Sequence, residues 1–370
     1  MWTYANPVNV RFGAGSFGTL ASVIGRRRYA VVTHPDPMFG GLVADLAESA
    51  GDPALLIDDV APNPDRALLH VQSARFSNPS GPVESIVAIG GGSVLDSAKV
   101  FAAANGDFGK VQRYLERKAG DDDLPAIPII AVPTTAGTGS EVTCWATVWD
   151  QDAGRKFSLA RPDLYPTTAI VDPALMLGKP RGLTLSTALD ALSHALESIW
   201  NVNANPVSAC FAVAAAREIL DCLPVLLDDL KNIDLRTRLA KASLFAGLAF
   251  SNTKTALAHN LSYPITLGYG VQHGIACSFT LPVILKSVVG IGGFREASLH
   301  AIFGDDLSAA SESLKRFLST LGVPVRLEAH GVPVETWSEI VDAAFAGERG
   351  RNFVGDKSCF HAAAKSLQLV

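Results

Sequence analysis

Asp190 and His194, both of metal-binding type, lie four residues apart within the apolar stretch Leu185–Trp200. On an α-helix that spacing projects both side chains from one face. His259 and His273 follow in AHNLSYPITLGYGVQHG. One carboxylate and three imidazoles form a borderline-to-hard donor set, suited to Fe²⁺ or Zn²⁺ and unlike a thiolate structural zinc site. Any one histidine is compatible with an ordinary buried or surface side chain. Four candidates in one largely apolar helical region point instead to a metal centre.

Three glycine-bearing loops are candidate phosphate cradles. GAGSFG at 13–18 fits G-x-G-x-x-G, follows the strand-like VNVRF, and has Asp36 roughly where a ribose-binding acid would stand. Its strand is short and sits at the very start of the chain, so a tight turn is the favoured reading. GGGS at 90–93 is better placed, between the strand SIVAI and a helix opening at Val94. Residues without side chains let a pyrophosphate approach the backbone, and the helix dipole favours its charge. Asp96 and Lys99 fall in the first turns of that helix. PTTAGTGSE at 133–141 also follows a buried strand, and its small hydroxyl residues suit ribose and phosphate oxygens.

These residues need elements to hold them. In the first half, Tyr29–Thr33, Leu55–Ile57, Ser85–Ile89 and Ile127–Val132 read as buried parallel strands. Helical segments such as Gly41–Ala50 and Val94–Ala104 lie between them, which predicts an α/β layered domain. From about residue 183 the period changes to 3.6 in Thr184–Trp200, Pro206–Leu227, Leu235–Ser251 and Ala309–Leu321. The expected architecture is an α/β nucleotide-binding domain over 1–182 and an all-α metal-binding domain over 183–370. The Pro-rich stretch Arg161–Arg181 reads as the junction, and the acidic run Asp121–Asp123 as a solvated loop.

Composition narrows the function classes. The 370 residues are 48% hydrophobic and 18% charged, enough for buried cores and unlike a disordered chain. A net charge of −5 leaves no basic surplus for nucleic acid. The five cysteines form no C-x-x-C, which suits a reducing cytoplasm rather than a disulfide framework. Met1 to Phe12 shows no signal-peptide pattern, and no apolar run is of membrane length, so neither secretion nor a membrane is expected.

The chain resembles the iron-containing (group III) alcohol dehydrogenases along nearly its whole length. The resemblance is carried by GGGS with Asp96 and Lys99, PTTAGTGSE, AIVDP at 169–173, ALDALSHALES at 188–198, and AHNLSYP…QHG at 258–274. It implies the dehydroquinate synthase-like architecture of that family, a homodimer or larger, and an active site in the cleft between the domains. Metal ligands fall by resemblance on Asp190, His194, His259 and His273. The pyrophosphate loop falls on Gly91, Gly92 and Ser93, with Asp96 on the next helix. Nicotinamide and ribose contacts fall on Thr134, Thr135, Thr138, Ser140 and Lys156, and Lys156 joins the four metal ligands in the catalytic set. Two positions depart from the family. His34 stands where an acid usually accepts the adenosine ribose, so NADH or NADPH is expected as cofactor, with Asp36 a substitute acid nearby. Tyr263 stands where relatives often carry histidine.

The resemblance implies hydride transfer between the nicotinamide and a small aldehyde or ketone, with Fe²⁺ as Lewis acid and Zn²⁺ as the alternative. Arg155, Lys156, Arg349 and Arg351 would favour an anionic, phosphonate-bearing substrate if they face the pocket. EVTCWATVWD, RKFSLARPDLYP and ALESIWNVNANP are similar to the branch that reduces phosphonoacetaldehyde to 2-hydroxyethylphosphonate. A general short-chain alcohol dehydrogenase and a maleylacetate reductase stand as alternatives. From other classes, a dehydroquinate synthase-like lyase and a non-catalytic scaffold also stand.

Overall fold

The computed structural model describes residues 1–77, 81–117, 124–152 and 154–370. The acidic run Asp121–Asp123 lies outside the described residues. The chain divides into two units: Pro7–Thr135 with Ser140–Met176, and Met1–Asn6 with Ala136–Gly139 and Leu177–Val370.

The first unit is α/β. Its strands are β1 (Asn9–Phe12), β2 (Tyr29–Thr33), β3 (Leu55–Ile57), β4 (Ser85–Gly90), β5 (Ile129–Pro133), β6 (Trp145–Asp150), β7 (Arg155–Ala160) and β8 (Thr168–Val171). Six of these form one parallel sheet in the order β1-β8-β5-β4-β2-β3, while β6 and β7 pair antiparallel apart from it. The helices are α1 (Leu20–Ile24), α2 (Pro37–Ala50), α3 (Arg66–Ala74), α4 (Gly92–Ala104) and α5 (Phe108–Arg117). Side chains alternate across the sheet. Val31, Val87, Ile89, Ile130 and Val132 enter one apolar cluster, and Ala30, Val32, Ile86, Ala88, Ile129 and Ala131 the other. Both faces are therefore covered, which is why these strands read as unbroken apolar runs rather than alternating ones.

The stretch Arg161–Arg181, expected as a junction, holds the change of unit at Met176–Leu177 and also supplies β8, which lies inside the sheet between β1 and β5. Its four residues are too short a run, between too many prolines, to signal a central strand. GAGSFG is a turn: Gly13 N–H bonds to Val171 O and Phe17 N–H to the Asp172 carboxylate, consuming amides a phosphate would need.

The second unit is helical, as its 3.6-residue period requires. It contains α6 (Arg181–Glu197), α7 (Pro206–Asp228), α8 (Ile233–Thr253), α9 (Leu257–Tyr269), α10 (His273–Ser278), α11 (Leu281–Ser287), α12 (Gly293–Phe303), α13 (Leu307–Thr320), α14 (Val334–Ala346) and α15 (Lys357–Ser366). Sequence cues set several starts. Asn205 and Ser208 close a capping box around Pro206 at the start of α7, and Asn232, Asp306 and Asp356 cap α8, α13 and α15. Helix α6 packs against α7, α8, α9 and α10 and is buried from Ala188 through Glu197. No helix among the described residues is long and apolar enough to cross a membrane.

Candidate active site

Asp190, His194 and Glu197 occupy positions i, i+4 and i+7 of α6, one stripe of a 3.6-residue helix. His259 lies in the first turn of α9, and His273 opens α10 with Cys277 one turn later. Gly274 lets α10 reach α6, since a Cβ there would stand 1.8 Å from Ser186 O. Glu197 is wholly buried and caps α9 from a distance, accepting from the N–H groups of Ala256 (2.9 Å), Ala258 and His259 (3.3 Å). Its other contact is His259 Nδ1 at 2.6 Å. A carboxylate at a helix N-terminus is favoured by the dipole. With Nδ1–H donating to Glu197, the Nε2 lone pair of His259 is turned toward Asp190.

Asp190 Oδ1 is the hub of the cluster. It lies 3.4 Å from His259 Nε2 and 3.9 Å from Nε2 of both His194 and His273. Burial would raise the Asp190 carboxyl, but the imidazoles of His194, His259 and His273 outweigh it and hold the group far below the usual carboxylate range. Burial pushes His194 down to about 4 against the opposing pull of Asp190, so that its ring is neutral near pH 7, as metal ligation requires. Asp190 Oδ1 and His259 Nε2 are both buried, and neither has a hydrogen-bond partner. A buried carboxylate oxygen and a buried imidazole nitrogen without partners are costly in a protein interior. They fit a divalent cation: tetrahedral ligation at the usual bond lengths puts oxygen and nitrogen ligands about 3.3 Å apart.

The third glycine loop contributes here in a way its sequence did not suggest. A Cβ on Gly137 would lie 2.7 Å from Thr187 Cβ, and one on Gly139 would lie 2.6 Å from Gly247 Cα. Residues 136–139 therefore seat directly on helix backbones, and Gly137 O stands 3.3 Å from His194 Nδ1, turning Nε2 toward Asp190. The opposite side of the His194 ring environment is apolar, with Phe250 stacked at 4.0 Å. Thr138 lies in the loop stretch that groups with the helical unit.

In the α/β unit the parallel register brings the other loops to one edge. Thr33 pairs with Ile89 and Gly90 with Pro133, so His34, Gly91 and Thr134 follow three adjacent strand ends. Ligands of open α/β sheets bind at such carboxyl ends. Helix α4 begins at Gly92 behind the N-cap Gly91 with no side chain capping it, and a Cβ on Gly91 would meet the Thr135 side chain at 3.2 Å. The bare N-terminus at Gly92 and Ser93 fits a pyrophosphate. Ser93 Oγ accepts from Asn63 N–H.

Asp96 and Ser140 are tied to each other. Ser140 Oγ donates to Asp96 Oδ1 at 2.7 Å, while Asp96 Oδ2 accepts from Thr147 N–H at 2.8 Å. Lys99, fully buried, donates to Ser140 Oγ and to the carbonyls of Ser140 and Trp145. This network fastens the third loop to α4. His34 follows β2, and Asp36 caps α2 through Met38 N–H. Lys156 lies on β7 with its ammonium 5.3 Å from the Trp149 ring centre.

Among the four cationic candidates, Arg155 and Arg351 are exposed, and Arg351 is spent on the Ala346 carbonyl. Arg349 is brought toward the cluster. Its Nε donates to Thr255 Oγ1 at 2.9 Å and its guanidinium covers Tyr263 at 5.1 Å. Tyr263 in turn stacks on His273, centroids 6.0 Å apart and planes within 5°. Two site residues escaped sequence reasoning, Glu197 and Cys277. Both carried a signal: Glu197 is three residues after His194, and Cys277 four after His273, each on the face of a ligand already chosen.

The α/β unit presents a glycine loop suited to a pyrophosphate, and the helical unit a buried carboxylate–imidazole cluster suited to a cation, features that fit the class of metal-dependent oxidoreductases. Comparison with known proteins agrees. A family model described as iron-containing alcohol dehydrogenase matches residues 7–173, and one described as Fe-containing alcohol dehydrogenase family, C-terminal, matches 184–354. The NAD-dependent methanol dehydrogenase of Bacillus methanolicus is 32% identical over 340 residues, covering 89% of this chain and 88% of that protein. The phosphonoacetaldehyde reductase of Streptomyces viridochromogenes is 33% identical over 290 residues, covering 74% and 72%. The crystal structure of sulfoacetaldehyde reductase from Bifidobacterium kashiwanohense with NAD⁺ superposes with a TM-score of 0.89 at 28% identity, covering 99% and 98%. The chain belongs to the iron-containing alcohol dehydrogenase family and is an NAD-linked alcohol dehydrogenase or aldehyde reductase by class.

Proposed function

We propose that this enzyme reduces a small anionic aldehyde, phosphonoacetaldehyde in the leading reading, to its alcohol, here 2-hydroxyethylphosphonate. The observation that carries the reading is the stack Arg349–Tyr263–His273, which sets a guanidinium one ring away from a candidate metal ligand. Only Nε of Arg349 is hydrogen-bonded among the described residues, leaving its terminal nitrogens for an anion. Two similar proteins, named for phosphonoacetaldehyde and sulfoacetaldehyde, act on two-carbon aldehydes with an anionic head, which supports the same choice.

When bound, the nicotinamide supplies the hydride, and Fe²⁺ (or Zn²⁺) polarises the carbonyl as a Lewis acid. Asp190, His194, His259 and His273 would hold the cation, with Glu197 and Gly137 O orienting two of the rings. Gly91, Gly92 and Ser93 would receive the pyrophosphate, and Arg349 would fix the anionic end of the substrate. His34 places no carboxylate after β2, and the nearby Asp36 is committed to capping α2, so NADPH is accepted beside NADH in this reading.

The test is loss of reduced-nicotinamide absorbance with Fe²⁺-loaded enzyme, offering phosphonoacetaldehyde, acetaldehyde and butyraldehyde with each cofactor. A strong preference for phosphonoacetaldehyde is the expected result. Turnover of the neutral aldehydes alone would remove the anionic-substrate reading and leave a short-chain alcohol dehydrogenase.

A further inference from the structure

The segment that carries Arg349 is seated by two glycines. A Cβ on Gly350 would run into Ala344 O, and one on Gly347 into the Asn260 side-chain amide. Asn260 Nδ2 also donates to Ala344 O at 2.6 Å, tying α9 to α14 beside that segment. From this fixed backbone the half-buried Arg349 side chain lays its guanidinium over Tyr263, and its Nε donates to Thr255 Oγ1 at 2.9 Å. Thr255 is itself held. It is buried, its carbonyl accepts from Asn352 Nδ2 at 2.9 Å, and the next N–H, that of Ala256, donates to Glu197 Oε2 at 2.9 Å. A β-branched side chain has little freedom at χ1, so the hydroxyl is a stiff acceptor. A guanidinium is a planar fork that can offer an oxyanion either Nε with one terminal nitrogen or the terminal pair. With Nε taken by Thr255, the terminal pair is the edge left over. Its two parallel N–H groups match two oxygens of a phosphonate, sulfonate or carboxylate.

We propose that Thr255 is the positioning residue for substrate charge, its hydroxyl holding Arg349 so that the terminal pair of nitrogens receives the anionic head. The inference rests on the proposed reduction of an anionic aldehyde with Arg349 at its charged end. Thr255 acts only through Arg349. A free arginine side chain loses considerable rotamer freedom when it orders around an anion. Here Tyr263 fixes one face of the fork and Thr255 fixes its rotation, so that cost is met in folding rather than in binding. Without the hydroxyl, Nε loses its partner, the fork turns about its stem, and the anion must order it.

The test is a ratio, kcat/KM for phosphonoacetaldehyde over kcat/KM for acetaldehyde, measured on Fe²⁺-loaded enzyme. Both values come from one preparation, so a loss of folded protein alone does not move it. Thr255→Val keeps the side-chain shape and removes the acceptor. The ratio should fall about 3- to 10-fold, carried by KM for phosphonoacetaldehyde rather than by kcat. Thr255→Ser keeps the hydroxyl and should restore most of the ratio. In an Arg349→Leu background, Thr255→Val should change the ratio no further, since the hydroxyl acts through the missing guanidinium. An unchanged ratio in Thr255→Val, or a fall that adds in full to that of Arg349→Leu, would overturn the role of Thr255. If Arg349→Leu alone still lowers the ratio, the anionic-substrate reading survives that failure. An Arg349→Leu variant with the wild-type ratio would overturn both.

Discussion

His259 Nδ1 and Glu197 Oε2 lie 2.6 Å apart in the interior of the helical unit, joining α9 to α6 through a carboxylate that also caps α9. The same Glu197 thereby fixes where His259 is and which nitrogen it offers. Glu197→Gln removes the charged acceptor while keeping the shape. Carboxylates behind metal-bound histidines contribute about 10- to 100-fold to metal affinity, and a loss of that size is expected in chelator competition. Unchanged affinity would make the pair a packing feature only. His259→Ala should go further and lose metal and turnover together.

Arg349 reads out substrate charge. Arg349→Leu keeps much of the aliphatic stem but removes the cation over Tyr263. A charge-assisted hydrogen bond of about 1.5–3 kcal/mol corresponds to about a 10- to 100-fold loss in kcat/KM for phosphonoacetaldehyde. Acetaldehyde, with no anion to bind, should be nearly unaffected, and an equal loss on both substrates would count against the assignment.

Glu141 gives a pH signature of stability in the α/β unit. Burial pushes its carboxyl from 4.5 up to about 7, with Lys99 partly opposing the shift. The folded-state value is the higher one, so the folded chain holds an extra proton between these limits. Its contribution to stability is full below about 4.5 and is lost as the pH rises through about 7. Glu141→Gln mimics the protonated form. It should be more stable than the wild type above that window by up to about 3 kcal/mol and approach parity below it. Urea unfolding across that pH range measures this directly, and a difference independent of pH would contradict it.

Gly274 is where α10 touches the backbone of α6. Gly274→Ala places a methyl 1.8 Å from Ser186 O, and the helices must part to admit it. Overpacking of this kind costs about 1–3 kcal/mol, so thermal unfolding should shift downward. Because the displaced helix carries His273, metal retention should fall as well. A stable variant with wild-type metal affinity would show that α10 is not held by this contact.

The residues of one element were legible in the sequence, and the meetings between elements were not. Helical spacing selected Asp190 and His194, and the apolar runs Tyr29–Thr33 and Ser85–Ile89 became β2 and β4 because both faces of a parallel sheet are covered. The glycines at 90–92 fell at a strand end because a helix had to start there. His259 and His273 were chosen by residue type and tied to Asp190 and His194 by the family motifs, since the proline-containing helix between them hides any common face. The place of β8 inside the sheet, the seating of Gly137 behind His194, Glu197 behind His259, Arg349 over Tyr263 and Cys277 beside His273 came only with the fold. Periodicity is a property of one helix or strand and fixes which side chains share its face. Which two faces then meet is decided by packing among residues far apart in the chain, and there a missing Cβ or one buried carboxylate chooses the arrangement.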